Sequence, residues 1–425
     1  MLYLISDLHF GGDGSLQICD YTDEIVGFLQ KLENEPPETE LLLVGDTFGL
    51  WELTTVTGTE KLDEIIRYHK KIFDQFKRTG EHIKITIMVG NHDYDLACEP
   101  AYFDKLLAYN IKLDTAVSLT RTINGRTIWI EHGQQVDEYN ASPAYGDPFA
   151  LPIGFHITQQ AVAGASKYSV FGTSDWLKDV RSVDIRQLPD WLISNYFYRE
   201  MNFLIRLLLL PFLVLLTVTL LAFVGQALKF AGVFDVNIIL NNFLFNYLGV
   251  IGDAIQIVLG ISMIFWFFIF VVGIPVFLIF RDVRRVLERM QILPRTEETP
   301  IYAPTEGYDE HAMSIFEQHK DVSVYVYGHT HAASLTNING KLIINTGTWL
   351  KMLRRIPVIL GHLPAVYYPM FRLNYFIIKA ENEKLCVEYQ VIPKKPVSEL
   401  TLLQRIFVIG RQPEILDHIP PKTYI

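Results

Sequence analysis

Seven side chains that can bind a metal ion occur in short polar motifs, each of which directly follows an apolar run. The motifs are Asp7-x-His9, Gly45-Asp46, Gly90-Asn91-His92, His132-Gly133 and Gly328-His329-Thr330-His331. They offer two carboxylates, one amide and several imidazoles, a mixture that suits divalent ions such as Mn, Fe, Zn or Co. Two such ions about 3.5–4 Å apart can share a carboxylate and clamp a phosphoryl group. These residue types therefore indicate metal-dependent phosphoryl chemistry.

The spacing within the motifs supports the same interpretation. The Asp-x-His and His-x-His patterns place both side chains of a pair on one side of an extended segment, so that both can reach one metal centre. A glycine beside each motif allows a tight turn. His92, next to Asn91, is a candidate proton donor, because imidazole side chains ordinarily titrate near neutral pH.

The apolar runs before the motifs are short and rich in branched residues, which predicts buried strands. We expect strands at residues 2–5, 41–44, 84–89, 127–130, 322–327 and 342–344, with closing strands at 375–378 and 385–391. Helical spacing is found at residues 20–32, 62–76, 103–107 and 311–319, and residues 162–176 and 188–198 are two further candidate helices. Alternating strands and helices predict an α/β sandwich with a largely parallel core, and such sheets hold polar ligands at the carboxyl ends of their strands.

Composition and charge exclude some classes of partner and metal site and indicate the compartment. The chain has 425 residues and a net charge of −10, which argues against a nucleic-acid partner bound through overall basicity. Its three cysteines are far apart, which excludes a thiolate zinc cluster and indicates a reducing compartment. The first residues lack a basic region and a cleavage site, so we expect no signal peptide and a cytosolic start.

Two uncharged runs, residues 207–228 and 254–280, reach the roughly 20 apolar residues that span a bilayer. Basic residues flank the pair, whereas the link between the runs contains one lysine. The positive-inside tendency then predicts a transmembrane hairpin with both outer ends in the cytosol. The alternative is a buried helical hairpin in a soluble protein. Residues 230–253 are open to three interpretations: a re-entrant, an interfacial or a further spanning segment.

Taken in order, the five motifs resemble those of the calcineurin-like metallophosphoesterases. The resemblance covers residues 1–133 and 311–391 and implies a four-layer αββα sandwich with two mixed sheets. It implies that one metal ion is held by Asp7, His9, Asp46 and His331. The other ion would be held by Asp46, Asn91, His132 and His329, with Asp46 as the bridge. His92 would lie just outside these ligands and donate a proton to the leaving group or steady charge on the phosphoryl oxygens.

Gly45-Asp46-Thr47-Phe48 together with Trp51 also resembles the UDP-diacylglucosamine pyrophosphatases of lipid A synthesis. That branch carries a helical insertion between the His-Gly and Gly-His-x-His motifs, which covers acyl chains. It has Arg where this chain has His92, and Asp where this chain has Gln134. The substrate of that branch therefore cannot be assigned to this chain. What the resemblance implies is a lipid-facing insertion at the rim of a dimetal site.

We therefore predict that residues 1–140 and 311–393 are the two halves of one metallophosphoesterase domain. Between them we expect a cap insertion at 141–200, the transmembrane hairpin at 201–282 and a linker at 283–310, and a tail follows at 394–425. The predicted function is a membrane-anchored phosphohydrolase acting on a phosphodiester, pyrophosphate or phosphomonoester bond, with the lipid bilayer and an amphiphilic phosphorylated substrate as partners. Two alternatives are a phosphoesterase on soluble nucleotides or phosphoproteins with the hairpin as a tether, and a non-catalytic scaffold.

Three cations after the Trp349 turn, Lys351, Arg354 and Arg355, are candidate substrate contacts. They could grip phosphates or a head group, bind anionic lipid, or be ordinary surface charge. Asp93 is expected to fix the turn after Gly90. Asp137 and Glu138, near the His132 turn, are expected to lie in a solvated loop, with contact to substrate as the alternative.

Overall fold

The chain divides into two units, one formed by Met1–Glu200 with Pro300–Ile425 and the other by Met201–Thr299. The computed structural model describes residues 1–11, 19–160, 183, 187–237, 239–240, 243–289, 306–358, 363–394, 400–411 and 419–425. The segments before and after the apolar block therefore fold together as one unit.

The first sheet of this unit is seven-stranded and built around β1 (Leu2–Ile5). On one side, β1 is followed by the parallel strands β2 (Glu40–Val44), β3 (Lys84–Met88) and β4 (Ile111–Asp114). On the other side it pairs antiparallel with β12 (Leu373–Glu381), which continues into β13 (Lys384–Ile392) and β14 (Lys422–Tyr424). The carboxyl ends of β1, β2 and β3 thus meet at one edge.

The second sheet joins the two halves of the chain. It contains β5 (Ser118–Ile123), β6 (Arg126–Glu131), β7 (Val322–Tyr327), β8 (Ser334–Ile338) and β9 (Lys341–Asn345), in the order β5-β6-β7-β9-β8. Strands β6 and β7 are parallel neighbours although the whole apolar block separates them in sequence. A separate two-stranded sheet pairs β10 (Met352–Ile356) with β11 (Val366–Met370).

Alternating side chains of β1 show how the layers stack. Tyr3 and Ile5 point into a core shared with helices α1 (Thr22–Leu32), α2 (Glu60–Tyr68) and α3 (Lys70–Thr79). Leu2 and Leu4 point into a core shared with the second sheet. Helix α10 (Glu306–Gln318) covers the far face of that second sheet. The order helices, sheet, sheet, helix is the layered sandwich that the sequence predicted.

The helix predicted at residues 62–76 is instead two helices, α2 and α3, which break at His69. The reason is a tertiary contact: His69 Nε2 lies 2.6 Å from the carbonyl oxygen of Gly11, and the ring packs 5.4 Å from that of Phe10. This contact holds His69 outside the helical conformation.

The remaining helices of this unit are shorter. They are α4 (Asp95–Cys98), α5 (Ala101–Leu107), α6 (Leu188–Asn195), a π-helical turn at Tyr196–Glu200, and α11 (Leu402–Phe407). The helix predicted at 162–176 lies outside the described residues. The same is true of residues 290–305 in the predicted linker and of parts of the predicted tail.

The second unit consists of two long helices and a short link. Helices α7 (Phe203–Phe230) and α9 (Val250–Arg289) pack through the stacked rings of Phe223 and Phe270, whose centroids are 5.4 Å apart, and Trp266 Nε1 donates a 3.0 Å hydrogen bond to Thr219 Oγ1. The link includes helix α8 (Phe243–Tyr247). Within the described residues one helix, over Val250–Val283, is long and apolar enough to cross a membrane, and Val214–Phe230 is apolar but shorter.

Candidate metal centre

The structure brings all seven predicted metal ligands to the carboxyl ends of five strands. Two follow β1, one each follows β2, β3 and β6, and two follow β7. These ligands are, in that order, Asp7 and His9, then Asp46, Asn91 and His132, then His329 and His331. Residues that are up to 324 positions apart thereby form one site, because parallel strands end at a common edge.

The first group of donor atoms contains Asp7, His9 and His331. The Nε2 atoms of His9 and His331 lie 3.3 Å apart, and His331 Nε2 lies 3.1 Å from Asp7 Oδ1. Asp7 is fully buried, and its Oδ1 accepts no hydrogen bond within the described part of the chain. Two imidazole nitrogens and a buried carboxylate oxygen facing one point are a donor set that fits a divalent ion.

The second group contains His132, His329 and Asn91. His132 Nε2 lies 3.2 Å from Asn91 Oδ1, and His329 Nδ1 lies 2.9 Å from the same oxygen. The amide oxygen is thus placed between two imidazole nitrogens, and this set too fits a divalent ion.

Asp46 lies between the two groups. Its Oδ2 is 3.6 Å from His9 Nε2 in the first group and 3.3 Å from His132 Nε2 in the second. Burial by itself raises the pKa of Asp46, but the neighbouring charges of His132 and His92 outweigh that effect and hold the pKa well below its usual range. An ionised carboxylate that faces both groups has the position expected of a bridging ligand. Two divalent ions held here would stabilise negative charge on phosphoryl oxygens.

Two further contacts orient the imidazole rings. His132 Nδ1 lies 2.8 Å from the carbonyl oxygen of Val44, so this nitrogen carries the proton and Nε2 is left to bind. His329 Nε2 lies 3.1 Å from Asp137 Oδ2, which leaves Nδ1 to face Asn91. Asp137 lies in a loop, as expected, but its side chain is only 29% exposed and contacts the ring of a predicted ligand. An acidic residue five positions after His132 was the only signal for this role in the sequence.

Five of the ligands have a left-handed backbone conformation. The φ angles are 54° for Asp7, 47° for His9, 49° for Asp46, 64° for His329 and 61° for His331. Side chains other than glycine adopt this region at a cost of roughly 1–2 kcal/mol each, and such strain gathers at functional sites. The fold therefore loses some stability in order to orient these side chains.

The glycines of the motifs are needed because ligands approach them closely. A Cβ atom on Gly90 would lie 2.2 Å from Asp46 Oδ1, and one on Gly45 would lie 2.4 Å from His132 Nδ1. Gly90 has no positive φ, so its role is to leave room for Asp46 rather than to permit an unusual turn. The turn itself is held by Asp93, whose carboxylate accepts hydrogen bonds from the backbone of Gly90 at 2.6 Å and of Thr47 at 2.7 Å.

His92 lies beside the two donor groups with its side chain 21% exposed. Its Nδ1 is 2.7 Å from Oε1 of Glu52, a side chain only 4% exposed. The His92 ring is also flanked by His9, at 4.7 Å between centroids, and by Trp51, at 4.8 Å. Glu52 was missed from the sequence, where its only signal was its place directly after Trp51.

The family model for calcineurin-like phosphoesterases matches residues 2–194. This chain contains a calcineurin-like phosphoesterase domain. The phosphoesterase is a metal-dependent hydrolase, since the motifs of that family supply the two donor groups described above. No curated protein matches the sequence.

Several solved structures are similar to the phosphoesterase at low identity. A predicted phosphoesterase from Streptococcus pneumoniae TIGR4 is 9% identical with a TM-score of 0.28, covering 92% of this chain and 88% of its own. Vps29 from Entamoeba histolytica, complexed with zinc, is 9% identical with a TM-score of 0.27, covering 92% and 91%. Phosphopantetheinyl hydrolase from Mycobacterium tuberculosis is 14% identical with a TM-score of 0.25, covering 82% and 89%. The family assignment rests on the match of residues 2–194 and on the geometry of the site.

A cavity of about 680 Å³ opens over the metal centre of the phosphoesterase. Its lining includes Asp46, His92, Asp137, Tyr308 and His331. Its size is that of a small-molecule site. His92 is therefore placed where a bound substrate and the two donor groups meet.

The three predicted cationic contacts lie elsewhere. Lys351 is 1% exposed, and its Nζ is 2.7 Å from Asp20 Oδ2. The expectation that Lys351 contacts substrate is therefore corrected, because its ammonium is buried in an ion pair. Arg354 and Arg355 are exposed on β10, and the guanidinium of Arg355 lies 3.6 Å from Asp190. None of the three is among the described residues that line the cavity.

Proposed function

We propose that this phosphoesterase is a membrane-anchored dimetal enzyme that hydrolyses a phosphodiester, pyrophosphate or phosphomonoester bond in a lipid-linked or amphiphilic substrate. The observation that carries the dimetal part is the position of Asp46 Oδ2, within 3.6 Å of an imidazole nitrogen from each donor group. One carboxylate shared by two sets of N and O ligands is the arrangement that phosphoryl transfer by two metal ions requires.

Each residue then has a defined role. Asp7, His9 and His331 would hold one ion, Asn91, His132 and His329 would hold the other, and Asp46 would serve both. His92 donates a proton to the leaving group, since its ring faces the cavity beside the ligands. The carboxylate of Glu52 lies 2.7 Å from His92 Nδ1 and so directs Nε2 towards the substrate.

The surface of the second unit supports membrane anchoring. Large apolar side chains of α9 are exposed along its length, for example Phe265 at 66% and Phe277 at 64%. A soluble protein rarely exposes a continuous apolar surface of this extent. Helix α7 has 28 residues, about 42 Å at about 1.5 Å per residue, and its only charges are Arg206 and Lys229. We propose that both helices cross the bilayer, whose hydrocarbon core is about 30 Å thick.

The catalytic unit requires an even number of membrane crossings. Residues on both sides of the apolar block form this unit, so both flanks lie in one compartment and the number of crossings is even. Arginines flank the outer ends of the two helices, at Arg199 and Arg206 before and at Arg281 and Arg285 after. The positive-inside tendency then places the metal centre in the cytosol.

A hydrolysis screen with metal-stripped protein tests the enzymatic proposal. We expect activity to return with Mn, Fe, Zn or Co, and to be highest on lipid phosphates or lipid-linked pyrophosphates. Substrates with one head group and graded acyl length separate the lipid proposal from its rival. If kcat/KM shows no dependence on acyl length, the substrate is soluble and the hairpin is only a tether.

Cysteine labelling of intact cells tests the topology. In a Cys98→Ser background, Tyr247→Cys places a thiol on the link between the helices, where the native side chain is 89% exposed. Leu107→Cys places one on the catalytic unit at a position that is 64% exposed. An impermeant reagent should label position 247 and leave position 107 unlabelled until the cells are lysed. Labelling of both in intact cells would contradict the cytosolic orientation.

A further inference from the structure

Helix α11 and the residues after it expose one apolar face. Its apolar residues Leu402 and Ile406 are 74% and 46% exposed, and Ile409, just after the helix, is 69% exposed. By contrast the polar Gln404 is 3% exposed, since it closes a capping box with Thr401. A helix in water normally turns its apolar residues inward. The outward face of α11 is therefore built to meet something other than water.

The neighbouring segment exposes a second apolar stripe. Ile193 is 59% exposed and Tyr196 is 48% exposed, whereas Trp191 and Tyr198 on the same segment are buried. Tyr198 also contacts Phe407 of α11, with ring centroids 6.3 Å apart. The two stripes thus belong to adjoining elements of the catalytic unit.

The elements that carry these stripes have an excess of positive charge. On α6 with its π-helical turn, β10, and residues 402–411, the exposed or partly exposed charges are two acids, Asp190 and Glu200, and five arginines. The arginines are Arg199, Arg354, Arg355, Arg405 and Arg411. The whole chain has a net charge of −10, so a basic excess here runs against its average. We call this surface, with its apolar residues Ile193, Tyr196, Leu402, Ile406 and Ile409, the α6–α11 face.

We infer that the α6–α11 face of the catalytic unit rests on the surface of an anionic lipid bilayer. Its apolar side chains enter the headgroup region, and its arginines contact lipid phosphates, which is how interfacial helices bind. The long aliphatic parts of arginine side chains suit that boundary.

Two observations favour a bilayer over a second copy of this chain. The excess of arginines on the α6–α11 face complements anionic lipid, whereas two copies meeting through this face would bring like charges together. The face also contains the point where the chain leaves the unit: Glu200 is its last residue before the interruption, and α7 begins at Phe203. A membrane surface is therefore the occupant that both the charge and the path of the chain support.

This inference rests on the membrane insertion proposed above, and its test separates the two. The full chain carrying Cys98→Ser and Ile406→Cys is labelled with an environment-sensitive fluorophore and reconstituted in vesicles of phosphatidylcholine and phosphatidylglycerol. The matched control is Leu107→Cys, which replaces another exposed aliphatic residue of the same unit. Activity on a soluble model diester, which neither position should alter, confirms that both variants fold. Flotation of the unlabelled protein with the vesicles reports insertion independently.

We expect the fluorophore at position 406 to shift its emission to the blue and to be quenched by lipids spin-labelled near the head group. At position 107 neither change should occur. Replacing Arg354 and Arg405 by glutamine should weaken the quenching at 406. If the protein floats but position 406 is quenched no more than 107, this inference fails and membrane insertion stands. A blue shift without lipid quenching would mean a second copy covers the face, and failure to float would overturn both proposals.

Discussion

The contact between Glu52 and His92 gives the sharpest prediction. In Glu52→Ala, His92 Nδ1 loses the oxygen that lies 2.7 Å from it, in a place where the lost side chain was only 4% exposed. The imidazole can then carry its proton on the wrong nitrogen or turn away from the leaving group. A general acid contributes about 10²–10⁴-fold in rate, and losing the partner that orients a functional histidine costs about 10–100-fold. We expect Glu52→Ala to lose 10–100-fold, and Glu52→Gln, which keeps an acceptor oxygen, to lose less.

The assay compares two model diesters that differ only in the leaving group. A p-nitrophenolate leaves without help, whereas an alkoxide needs a proton. The loss in kcat for Glu52→Ala should therefore be large with the alkyl substrate and small with the nitrophenyl substrate. A double-mutant cycle with His92→Ala completes the test: since Glu52 acts through His92, the double variant should be no slower than His92→Ala alone.

Glu40→Gln is the matched control, because Glu40 is another buried glutamate, 9% exposed, that contacts Arg121 rather than the site. It should not change the ratio of the two substrates. The positioning role of Glu52 is refuted if the losses of Glu52→Ala and His92→Ala add, or if Glu52→Ala slows both substrates equally. Metal content, measured by elemental analysis, should be the same in all these variants.

The remaining predictions concern the metal ligands, their glycine and the stability of the sheet. Asp46→Ala should lose metal from both positions and all turnover, and retention of one full equivalent of metal would show that Asp46 does not bridge. Gly90→Ala should cut metal affinity, because its Cβ would lie 2.2 Å from Asp46 Oδ1, whereas Gly27→Ala, with no atom within 4 Å, should leave metal titrations unchanged. Burial raises the pKa of Glu40, but hydrogen bonds from Arg121, Thr86 and Lys84 outweigh it and lower that pKa from 4.5 to about 2. The carboxylate therefore stabilises the fold above about pH 4.5 by at most about 3 kcal/mol. The difference in thermal midpoint between wild type and Glu40→Gln should vanish as the pH falls towards 2, and a constant difference would contradict this.

Much of the fold could be predicted because its signals are local. The strands that carry the ligands are short runs of branched apolar residues, and burial on both faces favours such runs. The edge and hairpin strands β4, β5, β8, β10 and β14 escaped prediction because they are partly polar, and β11 did so because Pro369 interrupts its apolar run. Likewise, no residue near His69 in the sequence predicted that contact with the carbonyl oxygen of Gly11 would interrupt a regular helical pattern.

Residue type and spacing alone showed which residues could bind metal, the order of their motifs and the apolar block between two halves of one domain. A single chain displays these properties directly. Which side chains support the site, and which do not, became clear only once the chain was folded. Glu52 contacts His92 and Asp137 contacts His329, whereas Lys351 forms an ion pair with Asp20. All three contacts are made across loops whose paths depend on the packing of distant elements. The left-handed backbone at five ligands is of the same kind, since only the surrounding fold holds a strained conformation in place.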